Sequence, residues 1–170
     1  AGQVDIRITA KADSEAEARA LIAPMEAELR NRLGDWVFGA DEDTLEGMAL
    51  ANMDALGWTL VVVESGLGGA LTAKLAGDST AFAGGEVLNH VPDREGLERL
   101  CAEMRDTRKA DACLGIALER GEAQQTLHVV RITPFKRNAI TRTYGGPPKL
   151  AATWAVATAL DLIRRMKAKD

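Results

Sequence analysis

The chain opens on an alternation. Val4, Ile6 and Ile8 are interleaved with Asp5, Arg7 and Thr9, which predicts a strand with one wet face. The period then changes, with Ala18, Leu21, Ile22, Met25, Leu29 and Leu33 recurring at helical spacing. Ser14 with Glu17 three residues later forms a capping box, and Gly34 ends the helix. Pro24 falls inside the stripe and predicts a kink. "WVFG" predicts a second short strand. Residues 1–40 therefore read as a small β-α-β unit, too small to bury a core of its own.

Residues 41–170 read as a second unit. Asp43 and Glu46 can cap a helix that carries Leu45, Met48, Ala49 and Leu56 on one face. Thr59 to Val63 is an unbroken apolar run, the pattern of a central strand covered on both faces. After Glu64-Ser65 come Gly66, Gly68 and Gly69, and then a short helix from about Leu67 to Leu75. "STAFAGGEVL" predicts a strand in which the pair Gly84-Gly85 marks a bulge or a close backbone approach. "DREGLERLCAEMRDTRK" predicts a helix with Leu97, Leu100, Cys101 and Met104 inward. "ACLGIAL", "QTLHVVRIT" and "RNAITRTY" predict three strands, the first two joined as a hairpin. A last helix runs from Lys149 to about Met166, behind "GGPP". The order β-α-β-α-β-β-β-α predicts a mixed sheet between helical layers, a three-layer α/β/α fold.

Composition narrows the function classes. Apolar residues make up 46% of the chain, enough for a packed core. Basic and acidic residues number 21 and 25, a net charge of −4, and only three Trp, three Phe and one Tyr are present. That is a poor platform for stacking bases, so no nucleic-acid partner is expected. No apolar run is long enough to span a membrane. Cys101 and Cys113 are the only cysteines and read as buried free thiols of a cytoplasmic protein, with a disulfide as the other option. His90 and His128 stand far apart, without a metal-ligand cluster, so neither a metal nor a cofactor is expected. The start at Ala1-Gly2, without Met, predicts the tail of a longer protein or a trimmed chain.

The glycine turn is the candidate site. "ESGLGG" ahead of a helix offers a row of backbone N–H groups to a phosphate or a carboxylate. Leu71 stands where the third glycine of a dinucleotide fingerprint would be, no Gly-Lys-Ser/Thr closes a P-loop, and Val63 rules out Gly-x-Ser-x-Gly. The candidates are Ser65 as nucleophile and Gly66, Gly68, Gly69, Gly84 and Gly85 as the backbone around a substrate or anion.

The same stretch, "TLVVVESGLGGALTAKL", resembles the signature of the CinA C-terminal domain, the nicotinamide-nucleotide amidase family. Thr59, Leu60, Val62, Glu64, Ser65, Gly68, Gly69, Leu71, Ala73 and Leu75 stand in register with it. "GDSTAFAGG" is similar to the family's G-S-S-x-x-F-x-G-G, through Gly77, Ser79, Phe82, Gly84 and Gly85. Residues 1–40 resemble the linking domain that precedes the amidase domain in full-length CinA proteins. The resemblance implies a CinA C-terminal-like fold and a homodimer. It implies a pyridine nucleotide or another phosphate-bearing small molecule as ligand, and Ser65 as nucleophile on the carboxamide of nicotinamide mononucleotide.

The assisting groups of that family are replaced here. The Cys and Thr after the serine are Gly66 and Leu67. The Tyr and Lys of Y-S-N-E-A-K fall on Asn89 and Arg94, and the Arg guanidinium stays protonated and cannot take a proton. The Thr of the Thr-Gly-Ile-Ala-Gly-Pro loop falls on Leu114 or Ala117, and the Asp and Arg of F-x-G-D-R on Pro147 and Pro148. Two readings follow. One is an amidohydrolase with Ser65 as nucleophile, Glu64 orienting the turn and Lys74 as a substitute base. The other is a non-catalytic domain that serves as scaffold, dimerisation module or nucleotide-binding regulator. A third, different chemistry at His90, Asp93 and Arg94, rests on local charge alone.

Overall fold

In the computed structural model, which describes residues 2–77 and 79–168, Ser14 starts the first helix as its spacing to Glu17 predicts. Its hydroxyl accepts the Glu17 N–H at 3.3 Å, and α1 runs Glu15–Leu33, continuous through Pro24, to Gly34. The chain divides into two units, residues 3–43 and the larger one from Thr44 onward. In the first unit α1 buries none of its residues, and Leu21 and Met25 are more than half exposed. A 3-10 turn, Gly34–Trp36, follows it.

The two strands expected around α1 are not formed. Residues 3–12 and 37–40 carry no ladder, so this unit is a helix with non-regular flanks rather than β-α-β. Alternation makes a strand only where a partner completes the ladder, and two short strands alone are marginal.

The larger unit begins with α2, Leu45–Leu56. Its cap is Thr44, whose hydroxyl accepts the Gly47 N–H at 3.1 Å. Asp43 instead accepts the Ala40 N–H, and Glu46 pairs with Lys74. Then come β1 (Leu60–Ser65), α3 (Ala70–Leu75), β2 (Phe82–Leu88) and α4 (Arg94–Arg108). The chain ends in β3 (Ala112–Arg120), β4 (Gln125–Ile132), β5 (Arg137–Tyr144) and α5 (Ala151–Arg164). The last helix starts two residues later than its pattern predicts, because Pro148–Leu150 forms a 3-10 turn first.

The five strands make one mixed sheet in the order β2-β1-β3-β4-β5. β1 lies parallel to β2 and β3, and β3, β4 and β5 run antiparallel to one another. Every residue of β1 is buried. Strand alternation sorts its side chains. Val61 and Val63, with Cys113, Ala117, Val130 and Ile132, pack under Leu97, Cys101 and Met104 of α4. Val62 belongs to the opposite face, where Thr72 of α3 lies over Gly85, and α5 covers β3 and β4. Helices on both faces give the three-layer α/β/α architecture.

The glycine pair of β2 does both things its sequence predicts. The ladder slips between Leu60↔Phe82 and Val61↔Gly84, leaving Ala83 extra, and Gly84 takes φ +128°. At Gly85 a Cβ would run into the Thr72 hydroxyl. Gly115 has the same function on the other face, since a Cβ there would meet Cys101 Sγ and Leu97 of α4.

The joint between β1 and α3 is held by Glu64. Its side chain is fully buried, and its carboxylate accepts the Thr72 N–H at 2.8 Å and the Leu71 N–H at 3.3 Å. The residue at the helix start, Gly69, has no side chain to cap those donors. Glu64 supplies the cap from the strand and brings a negative charge to the positive helix end.

Two stability outcomes follow. Glu64→Ala should lower the unfolding free energy by roughly 3 kcal/mol, the scale of charged hydrogen bonds lost from a buried site, with Glu64→Gln losing less, as read by urea titration. Gly115→Ala should cost about 2 kcal/mol by the same measurement, because α4 must lift to admit the methyl group.

Candidate functional site

Ser65 is the last residue of β1, paired with Leu88 on one side and Ala117 on the other, and only 1% exposed. Successive strand residues point to opposite faces. Glu64 points to the α3 face and Ser65 to the α4 face. The two neighbours that the sequence offers as one constellation are therefore separated by the sheet itself. Lys74 sits with Glu64's side of the molecule. Its ammonium is 2.7 Å from the Glu46 carboxylate of α2, a partly exposed pair. Burial pushes the Glu46 carboxyl up, but hydrogen bonds from Lys74 and its own backbone, with the Lys74 charge, bring it below the usual carboxylate range. Lys74 is thus a surface ion-pair partner and not a base for Ser65.

On the α4 face the Ser65 hydroxyl donates to the backbone carbonyl of His90 at 2.6 Å. His90 lies in the segment between β2 and α4. The location is the one where an open α/β sheet forms its ligand crevice. β1 leads into α3 on one face and β2 leads into α4 on the other, so their carboxyl ends part company. The Ser65–His90 bond ties the end of β1 to the stretch after β2.

The other residues offered as chemistry take structural positions. Asp93 caps α4, its carboxylate accepting the Gly96 N–H at 2.7 Å, and Arg94 is the first, exposed residue of that helix. Asn89 and His90 are exposed. Ala117, beside Ser65, brings no polar side-chain atom. His128 follows Ala117 in the same row, two strand spacings or roughly 10 Å from Ser65. Its Nδ1 is 3.2 Å from the Thr141 hydroxyl and its Nε2 is 3.9 Å from Glu119. Among the described residues, no side-chain base hydrogen-bonds the Ser65 hydroxyl. Leu114 is buried on β3, and Pro147 and Pro148 lead into the turn before α5.

The glycines hold the turn in a path that few other residues could follow. Gly66, Gly68 and Gly69 have φ of +73°, +67° and +85°. Gly66 is also pressed against the Leu118 carbonyl, which a Cβ would strike. The first donors of α3 are taken by Glu64, so the anion at this helix end is the protein's own carboxylate. Gly68 is exposed, and Gly69 lies 3.7 Å from Val87 by the position its Cβ would take. Gly84 and Gly85 serve the bulge and the α3 approach described above. Two surface depressions lie elsewhere, one of about 60 Å³ between Val129, Asn138, Ile140 and Leu162, the other beside Arg105, Lys109 and Pro134. Among the described residues no group of three His, Cys, Asp or Glu could hold a metal, and no helix is long and apolar enough to cross a membrane.

Sequence reasoning missed the His90 carbonyl, the Leu118 carbonyl and the two N–H groups on Glu64. Backbone atoms carry no letter. The opposed directions of Glu64 and Ser65 were available from strand alternation alone.

The likeness to known proteins agrees with this geometry. Residues 1–39 match the family model for the damage-inducible protein CinA KH domain. A CinA-like protein of Frankia casuarinae is 34% identical over 98% of this chain and 45% of its own length. One of Deinococcus radiodurans is 31% identical over 95% of this chain and 44% of its own. The chain thus spans about half the length of these curated relatives. Among solved structures, a competence-damaged protein (CinA) superfamily protein from Escherichia coli superposes with a TM-score of 0.59 at 19% identity, over 79% of this chain and 98% of that one. A competence or damage-inducible protein from Enterobacter asburiae gives 0.59 at 16%, over 72% and 98%. That likeness speaks for the fold, and the sequence relatives carry it to the family: the chain belongs to the CinA family.

Proposed function

We propose that this CinA-family chain keeps an amidase-type fold without amidase activity, and that Ser65 acts as a tether and not as a nucleophile. The observation that carries the reading is the 2.6 Å hydrogen bond from the Ser65 hydroxyl to the His90 carbonyl. Amide hydrolysis by a serine requires a base to take the hydroxyl proton and aligned donors to hold the oxyanion. A backbone carbonyl can accept a hydrogen bond but not the proton. Attack would first break that bond and then need a basic group within about 3.2 Å. The groups that could serve, Glu64 and Lys74, lie on the far side of the sheet and are engaged in the α3 cap and in the Glu46 pair.

The turn supports the same reading. Its fold-building glycines remain, while the positions that chemistry needs are filled by Asn89, Arg94, Pro147 and Pro148. A free helix end would favour a phosphate or a nucleotide, but Glu64 already neutralises the one at α3. The exposed Gly68 backbone, with Gly69 beside it, is then the remaining place where a pyridine nucleotide or other phosphate-bearing ligand would be held.

The decisive assay is incubation with nicotinamide mononucleotide and measurement of ammonia. Wild-type protein should release none above the Ser65→Ala variant. Release that Ser65→Ala abolishes would establish an active amidase and overturn the proposal.

A further inference from the structure

Cys101 and Cys113 are both free and both fully buried in one apolar cluster between α4 and the sheet. Their placement is mutual. Cys101 Sγ lies directly over Gly115, in the space that a Cβ there would fill. Cys113 is two residues earlier on β3 and faces the same helix, as its place beside Ala117, Leu97 and Cys101 shows. The two thiols are neighbours in this cluster, and the hydrogen bond that the Cys101 thiol makes to Cys113, then burial, push the Cys101 thiol up. Only twelve steps of chain separate them, through the end of α4 and the turn at Lys109. That turn has the left-handed φ of +54° at a non-glycine residue, a conformation that costs energy.

We propose that Cys101 and Cys113 form an oxidisable dithiol that closes to a disulfide between α4 and β3, fixing α4 to the sheet. The oxidant is hydrogen peroxide. When the α4 end opens, one thiolate attacks the peroxide oxygen, the O–O bond breaks, and a sulfenic acid and one water result. The second thiol attacks that sulfur, the S–O bond breaks, the S–S bond forms and a second water leaves. Two electrons pass from the two sulfurs to the peroxide. Because both thiols are fully buried in the closed state, the rate is set by opening of the helix and not by encounter with the oxidant. The bond would stiffen the helix whose leading segment receives the Ser65 hydroxyl.

The test treats the folded protein with hydrogen peroxide, quenches free thiols with iodoacetamide and reads intact mass and peptides. The expected result is loss of two hydrogens, no alkylation at either cysteine, and a peptide pair joined at Cys101 and Cys113. The Cys113→Ala variant should show no such loss and should retain one alkylatable thiol after denaturation. Two results overturn the proposal. One is accumulation of sulfinic acid or of disulfide-linked dimers in place of the internal bond. The other is recovery of both thiols unreacted after an exposure that oxidises the same protein unfolded in urea.

Discussion

The buried Glu64 carboxylate is the interaction that the rest of the larger unit depends on. A short helix with a glycine at its start cannot cap itself, and α3 has only six residues. Without a cap its first N–H groups would face a dry interior, where an unpaired donor is costly. Glu64 reaches across from β1 to satisfy two of them. That fixes where α3 begins, and hence where Thr72 meets Gly85 and where β2 can pair with β1. The same carboxylate supplies the negative charge that a bound phosphate would otherwise bring. A feature that reads as an invitation to a ligand is already answered inside the protein.

Strand alternation then decides the chemistry. Because Glu64 must face α3, Ser65 must face α4. The serine is placed at the carboxyl end of β1, the right location for a nucleophile in an open α/β sheet. It is surrounded there by Leu88, Ala117 and the backbone of His90. Its hydroxyl bridges two segments that diverge toward opposite faces, the end of β1 and the stretch after β2.

Much of this was legible in the sequence. The unbroken run of β1, the glycine pair of β2 and the hairpin of β3 and β4 all carry patterns that local geometry enforces. Helix starts were less legible: Thr44, not Asp43 or Glu46, caps α2, since Asp43 and Thr44 are adjacent and either type can perform that task, while Glu46 already lies inside the helix. The alternation of Val4, Ile6 and Ile8 misled, because a strand exists only with a partner and residues 3–43 provide none. The role of Ser65 was only half legible. The replaced family positions are written in Asn89, Arg94, Pro147 and Pro148, whereas the hydrogen bond of the Ser65 hydroxyl goes to a main-chain oxygen.

The central claim is that the Ser65 hydroxyl holds the segment between β2 and α4 in place. Amide hydrogen exchange of wild-type protein and the Ser65→Ala variant tests it most directly. Loss of one such bond should speed exchange at Gly96 and Leu97, whose N–H groups are held by Asp93 at the end of that segment, by about tenfold, the equivalent of roughly 1.4 kcal/mol, and leave β3 and β4 unchanged. Equal exchange at those two amides for the two proteins would contradict the account.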